Sequence, residues 1–159
     1  MYKLYFPDEK IEFNDIYFIC FMIERVARKR HLQNFEVLRC IPKEELHRLL
    51  SLADVLHCDN FDKISEEWID EYHIPKGDFH FDAVDPELDV HIPSETRIGK
   101  VFAKLITAVV ANTLDDDLIG TFYNVYNSPI TEKINDYNCS AFYEPPYVQV
   151  RAYYNGQFY

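Results

Sequence analysis

The stretch Asn14-Asp-Ile-Tyr-Phe-Ile-Cys-Phe-Met-Ile-Glu-Arg-Val-Ala-Arg-Lys-Arg30 decides the fold class of this chain. Its apolar positions, Ile16, Ile19, Phe21, Met22, Ile23, Val26 and Ala27, cover most of a helical circumference, so the helix belongs at the centre of a core. Asn14 or Asp15 offers an N-cap. Arg28, Lys29, Arg30 and His31 gather in the last turn, where cations favour the negative end of the helix.

Working outward, a second helix starts after Gln33 or Asn34 and ends before Pro42. Pro42 suits the first turn of a third, with Glu44 and Glu45 near its positive end. Leu46, Leu49, Leu50, Ala53, Val55 and Leu56 form that helix's apolar stripe. Asp59 or Asn60 caps a fourth, with Phe61, Ile64, Trp68 and Tyr72 on one face. Pro75-Lys-Gly-Asp78 then breaks the pattern, and the proline-punctuated segment after it reads as an acidic connector with one or two short strands. Ser94 caps the next helix, about 95–113. Asp115-Asp-Asp117 opens another, its carboxylates at the positive end, and Ser128-Pro129 starts the last.

Tyr2 to Phe6 alternates as a short strand before a turn at Pro7-Asp-Glu-Lys10, and Tyr147 to Tyr154 alternates as a second. Asn155-Gly156 is a hairpin-turn signal, and the two terminal strands could pair. The expected fold is mainly α (α+β): a single-domain bundle of about six helices with an acidic extended segment in the middle. It divides into a helical half (1–74), the connector (75–94) and a second helical half with the C-terminal strand (95–159).

Charge is distributed unevenly. Residues 54–95 hold thirteen acids against Lys63 and Lys76, which equals the formal net charge of −11 of all 159 residues. The remainder balances. Such a field favours a basic partner or a cation and argues against a nucleic-acid backbone as ligand. Aromatic residues make up 16 % of the chain, a composition foreign to disordered segments. With four glycines, glycine-cradled phosphate sites have little raw material, and no G-x-G-x-x-G or P-loop pattern is present. The N-terminus lacks the features of a signal peptide, and the longest apolar run, Ile16 to Ile23, is too short to span a bilayer. A soluble cytoplasmic protein is expected, with Cys20, Cys40, Cys58 and Cys139 as buried free thiols.

Four constellations bear on chemistry. His73, His80, Asp82, Asp85 and His91 are candidate metal ligands, because His80 and Asp82 would share a face of an extended segment. Their spacing matches no zinc motif, and Asp82-x-x-Asp85-x-Glu87-x-Asp89 misses the calcium-loop pattern. His57-Cys58 has the residue types of a base and a nucleophile, yet adjacent helical side chains diverge by about 100°. Asp115 to Asp117 is explained by helix capping. Tyr137, Tyr143, Tyr147, Tyr153, Tyr154 and Tyr159 crowd the C-terminal quarter, as in an aromatic strand or an interface.

Ile16-Tyr-Phe-Ile-Cys-Phe-Met-Ile-Glu24, followed by Ala53-Asp-Val-Leu-His57, resembles a family of short, uncharacterised bacterial helical proteins encoded near ADP-ribosyltransferase-like toxins. Those carry an aromatic-rich helix and a later helix with a terminal Leu-His. The resemblance covers about residues 16–58 and implies a bacterial accessory or antitoxin-like protein, with no catalytic residue to carry over.

The expected function is that of a non-enzymatic acidic binding protein of antitoxin or immunity type, without a cofactor. It would meet a basic protein through Asp62, Glu66, Glu67, Asp70, Glu71, Asp78, Asp82 and Asp85, with Trp68 or Tyr72 as anchor. Nucleic acid and membrane are not expected partners. The alternatives are a metal-dependent enzyme using the His/Asp set of residues 73–91, and a structural module that oligomerises through its Tyr-rich C-terminus.

Overall fold

Glu12 and Asp15 close a capping box at the start of the first helix, α1 (Phe13–Arg30), where the Asp15 carboxylate accepts the Glu12 backbone N–H at 2.8 Å. The computed structural model describes residues 3–6, 9–88, 91–112 and 117–158. Tyr2, the Pro7-Asp8 turn, Asp89, Thr113, Asp115, Asp116 and Tyr159 lie outside the described residues. As its pattern requires, α1 is buried on nearly all sides: Ile16, Ile19, Cys20, Met22, Ile23 and Val26 have no exposed surface. It ends at His31, which takes the left-handed conformation (φ 53°).

Eight further helices follow among the described residues: α2 (Asn34–Arg39), α3 (Lys43–Ser51), α4 (Ala53–Leu56), α5 (Phe61–Glu71), α6 (Glu95–Ala111), α7 (Leu118–Tyr126), α8 (Thr131–Ile134) and α9 (Pro146–Asn155). The central pair is α1 with α6. Gly99 makes their close approach possible, since a Cβ there would lie 2.8 Å from Phe21 Cα. Helices α2 and α5 pack on α1, and α7 and α9 pack on α6. Phe102 and Tyr126 stack at 4.4 Å between ring centroids in the interior. One cluster of buried apolar side chains contains residues from both halves of the chain. No helix among the described residues is long and apolar enough to cross a membrane.

The expected count of about six helices is too low. The third helix breaks at Leu52 (φ −96°, ψ 1°), which separates α3 from α4. The second correction concerns the tail. Residues 147–154 are not a strand but the body of α9, so the pairing of terminal strands does not occur. Pro146 occupies the first turn of α9, and Gly156 (φ 77°) ends it as a left-handed cap. Its buried residues, Gln149 and Ala152, are three apart, as on a helix face. Strand β1 (Lys3–Phe6) instead pairs with β2 (Glu9–Glu12) in an antiparallel hairpin, Lys3 opposite Glu12 and Phe6 opposite Glu9.

The connector contains no strand among its described residues. It is an irregular segment with one 3-10 turn, Pro86–Leu88, tied down across the end of α1. The Gly77 N–H donates to the Arg30 carbonyl at 2.8 Å, and the Phe79 N–H to the His31 carbonyl at 2.9 Å. A Cβ on Gly77 would come within 2.5 Å of the His31 oxygen. Farther along, Arg28 donates to the Pro93 carbonyl at 2.7 Å and lies 4.3 Å above the Phe81 ring.

Candidate functional site

Where the N-terminus of α1 meets α4 and the first turn of α5, the surface folds into a cleft of about 360 Å³. Its polar side is Glu12, Asp15, Asp54 and His57, and its apolar side is Tyr17, Phe18, Phe21 and Phe61. Each group is there for a local reason. Capping holds Asp15 at the first turn of α1. Helical spacing then puts Phe18 one turn farther on the same face, and Phe21 follows. Phe61 is the first residue of α5, which starts there because the Asn60 side chain accepts the N–H groups of Asp62 (2.9 Å) and Lys63 (3.2 Å). The Phe61 ring meets those of Phe21 (5.2 Å) and Phe18 (6.0 Å) at steep angles. The His57 imidazole stands edge-on to Phe18 at 6.4 Å.

The electrostatics of the cleft centre on one carboxyl pair. Asp15 is 6 % exposed. Burial pushes its carboxyl up to about 6, the Glu12 N–H pulls it down, and the charge of Asp54 and a hydrogen bond with it push it up again. A buried carboxyl beside a second carboxylate stores unfavourable charge, which a proton or a cation relieves. The aromatic side chains of Tyr17, Phe18, Phe21 and Phe61 line the same cleft. A positively charged group with an apolar stem therefore meets both halves of the lining.

His57 and Cys58 come closer than helical geometry allows. Helix α4 ends at Leu56, and in the turn after it the Cys58 thiol lies 3.5 Å from His57 Nδ1. The two side chains would diverge only if the helix continued past Leu56. Both residues are exposed, and Cys58 also contacts the Asp54 carbonyl at 3.8 Å.

The expected partner-binding residues fall into three groups. Trp68 and Tyr72 are core residues, 3 % and 8 % exposed, so neither is available as a surface anchor. Tyr72 donates its hydroxyl to Glu45 at 2.9 Å. Asp62, Glu66, Glu67 and Glu71 are exposed but already face cations of this chain. Arg25 bridges Asp62 (2.6 Å) and Glu95 (3.0 Å), Lys29 pairs with Glu66, Lys63 reaches Glu67 (4.0 Å), and Arg48 reaches Glu71 (3.6 Å). Asp70, Asp78, Asp82 and Asp85 are exposed, and among the described residues no cation pairs with them.

The expected metal ligands do not converge. Among the described residues no three His, Cys, Asp or Glu side chains are grouped so as to hold a metal ion. The extended geometry that would have aligned His80 with Asp82 is replaced by a turn, in which the Ala83 N–H donates to the His80 carbonyl and the Val84 N–H to that of Asp82. His80 packs against His31 instead, at 5.2 Å between ring centroids. His73 follows α5 in a left-handed conformation (φ 51°).

Sequence reasoning missed the cleft. Asp15 reads as a helix cap and Phe21 and Phe61 as apolar-face residues, and nothing in their spacing along the chain joins them to Asp54. Compared with protein-family models, curated proteins and solved structures, the chain matches none of them.

Proposed function

We propose that this is a binding protein for a basic protein partner, of the antitoxin or immunity type, and that the cleft receives a lysine or arginine side chain of that partner. The observation that carries the reading is the lining itself: the Asp15–Asp54 carboxyl pair and the aromatic side chains of Tyr17, Phe18, Phe21 and Phe61 line one cleft. Phe61 opens α5, so the cleft sits at the head of the acidic helix. The exposed carboxylates of Asp70 and Asp78 extend the negative field beyond it. Such a field steers a basic partner and raises its association rate, and the cleft supplies the fixed point that a diffuse field lacks. The ion pairs of Asp62, Glu66, Glu67 and Glu71 do not remove those residues from the face. Exposed pairs contribute little, about 0–1 kcal/mol, and a partner's cations can replace them.

The test is titration of a fluorescent arginine- and lysine-rich peptide into the wild-type chain, D54N and D54K. Asp54 is exposed, so neither substitution disturbs the core. D54N is expected to weaken binding about tenfold, the loss of one charge-assisted contact, and D54K to abolish it. Equal affinity for wild type and D54K would overturn the assignment of the cleft.

A further inference from the structure

On an acidic chain, the face formed by α6 and α9 is basic. Arg97, Lys100 and Lys104 line a groove of about 330 Å³ with Tyr143, Pro146 and a single carboxylate, Glu144. All three cations are exposed, and among the described residues no carboxylate pairs with them. The Arg97 guanidinium rests 4.9 Å above the Tyr143 ring. Tyr143 is 66 % exposed, and Tyr147, which continues the same edge, is 71 % exposed. A second groove, shared by His91, Ile92, Pro93, Arg97 and Tyr143, adjoins the first through Arg97 and Tyr143.

The acidic connector runs into this face. Glu87 precedes His91, on the groove rim, by four residues, a span of at most about 14 Å. Asp82, Asp85 and Glu87 are exposed and lack cationic partners among the described residues, and Leu88 beside them is 50 % exposed. Arg28 joins the two segments, donating to the Pro93 carbonyl at the second groove and lying over the ring of Phe81, the neighbour of Asp82. A patch that carries both signs side by side is self-complementary under a two-fold rotation, which sets each copy's acids on the other's bases.

We propose that this face is an isologous dimer interface, in which the Asp82–Glu87 segment of each copy lies in the Arg97/Lys100/Lys104 groove of the other. The exposed Ile92, Tyr143 and Tyr147 fill the centre, as aromatic anchors do in protein interfaces. The net charge of −11 on each copy opposes association only at long range. At physiological ionic strength screening falls to about 8 Å, and the local charge pattern decides. The proposal goes beyond the cleft reading and does not rest on it.

The experiment is sedimentation velocity at physiological salt over a wide range of protein concentration, on wild type, K100E/K104E and D82K/D85K. All four positions are exposed, and circular dichroism checks that the helices persist. Wild type is expected to dimerise. Each reversed variant alone is expected to dimerise at least about tenfold more weakly, because both symmetric contacts then set like charges together. Mixing the two variants restores complementarity at both contacts, so a heterodimer is expected. A monomeric wild type at high concentration, or a K100E/K104E variant that dimerises like wild type, would overturn the proposal, as would a mixture that stays monomeric. Binding of the basic peptide by K100E/K104E separates this outcome from failure of the cleft assignment.

Discussion

The buried Asp15 carboxyl shares the lining of the cleft with Asp54, and burial together with the Asp54 charge raises it to about 6. The unfolded chain releases this proton near 3.8. Between these values the folded state holds a proton that the unfolded state has lost. Stability from this group is therefore complete below about pH 4 and is lost as pH rises through about 6. Carbon-detected NMR titration of the carboxyl groups should show an Asp15 midpoint near 6, falling toward the ordinary range in D54N. A D54N midpoint equal to that of wild type would mean the pair is not coupled.

Cation binding in the cleft should release this proton. At a pH near 6, titration of the basic peptide in buffers of different ionisation enthalpy is expected to show net proton release. The release should vanish in D15N. A heat independent of buffer would place the peptide elsewhere on the acidic face.

Gly99 predicts the tolerance of the central helix pair. Alanine at this position must displace the Phe21 backbone, which no rotamer change can accomplish. G99A is expected to cost about 1–3 kcal/mol in urea unfolding, the usual range for overpacking. A neutral result would show that α1 and α6 sit farther apart.

The pair formed by Glu24 and Arg28 organises the junction between α1, α2 and the connector. Arg28 donates to Glu24 at 2.8 Å and to the Tyr137 hydroxyl at 3.1 Å, and Asn34 joins Glu24 (3.1 Å) to Asn135 (3.0 Å). Both charged side chains are largely buried, at 11 % and 6 % exposure. E24Q leaves a buried guanidinium without its counter-charge and should cost about 3–5 kcal/mol. E24Q/R28M should cost less than E24Q alone, which a double-mutant cycle in urea measures.

The C-terminal helix makes its own prediction at Gly156. A left-handed cap penalises any Cβ, so G156A should lower stability by about 1 kcal/mol. Thermal unfolding followed by far-ultraviolet circular dichroism reads the change.

Three helix starts were legible in the sequence because caps are local, whereas the α1 cap expected at Asn14 or Asp15 is Glu12 and the helix expected from Ser128-Pro129 begins at Thr131. Asn60 caps α5, and Ser94 caps α6 by accepting the Arg97 N–H at 3.1 Å. Asp117 caps α7 by accepting that of Gly120 at 2.8 Å. Residues 147–154 were misread for an equally physical reason. In a segment this short, apolar residues fit both a period of two and a period near 3.6, and the pattern alone cannot choose. The Pro145-Pro146 pair suits a helix start, and Gln149 settles the choice by donating to the carbonyls of Ala141 (3.0 Å) and Phe142 (3.2 Å).

The helical class, the central place of α1 and the confinement of the net charge to residues 54–95 can all be read from the order of residues alone. These follow from side-chain periodicity, capping and composition, all properties of neighbours along the chain. Only the tertiary structure decided which acids remain unpaired, that Trp68 and Tyr72 face the core, and that Asp15 meets Asp54 beside an aromatic wall. Those outcomes depend on contacts between residues far apart in the chain, and the packing of α1 against α4, α5 and α6 sets them.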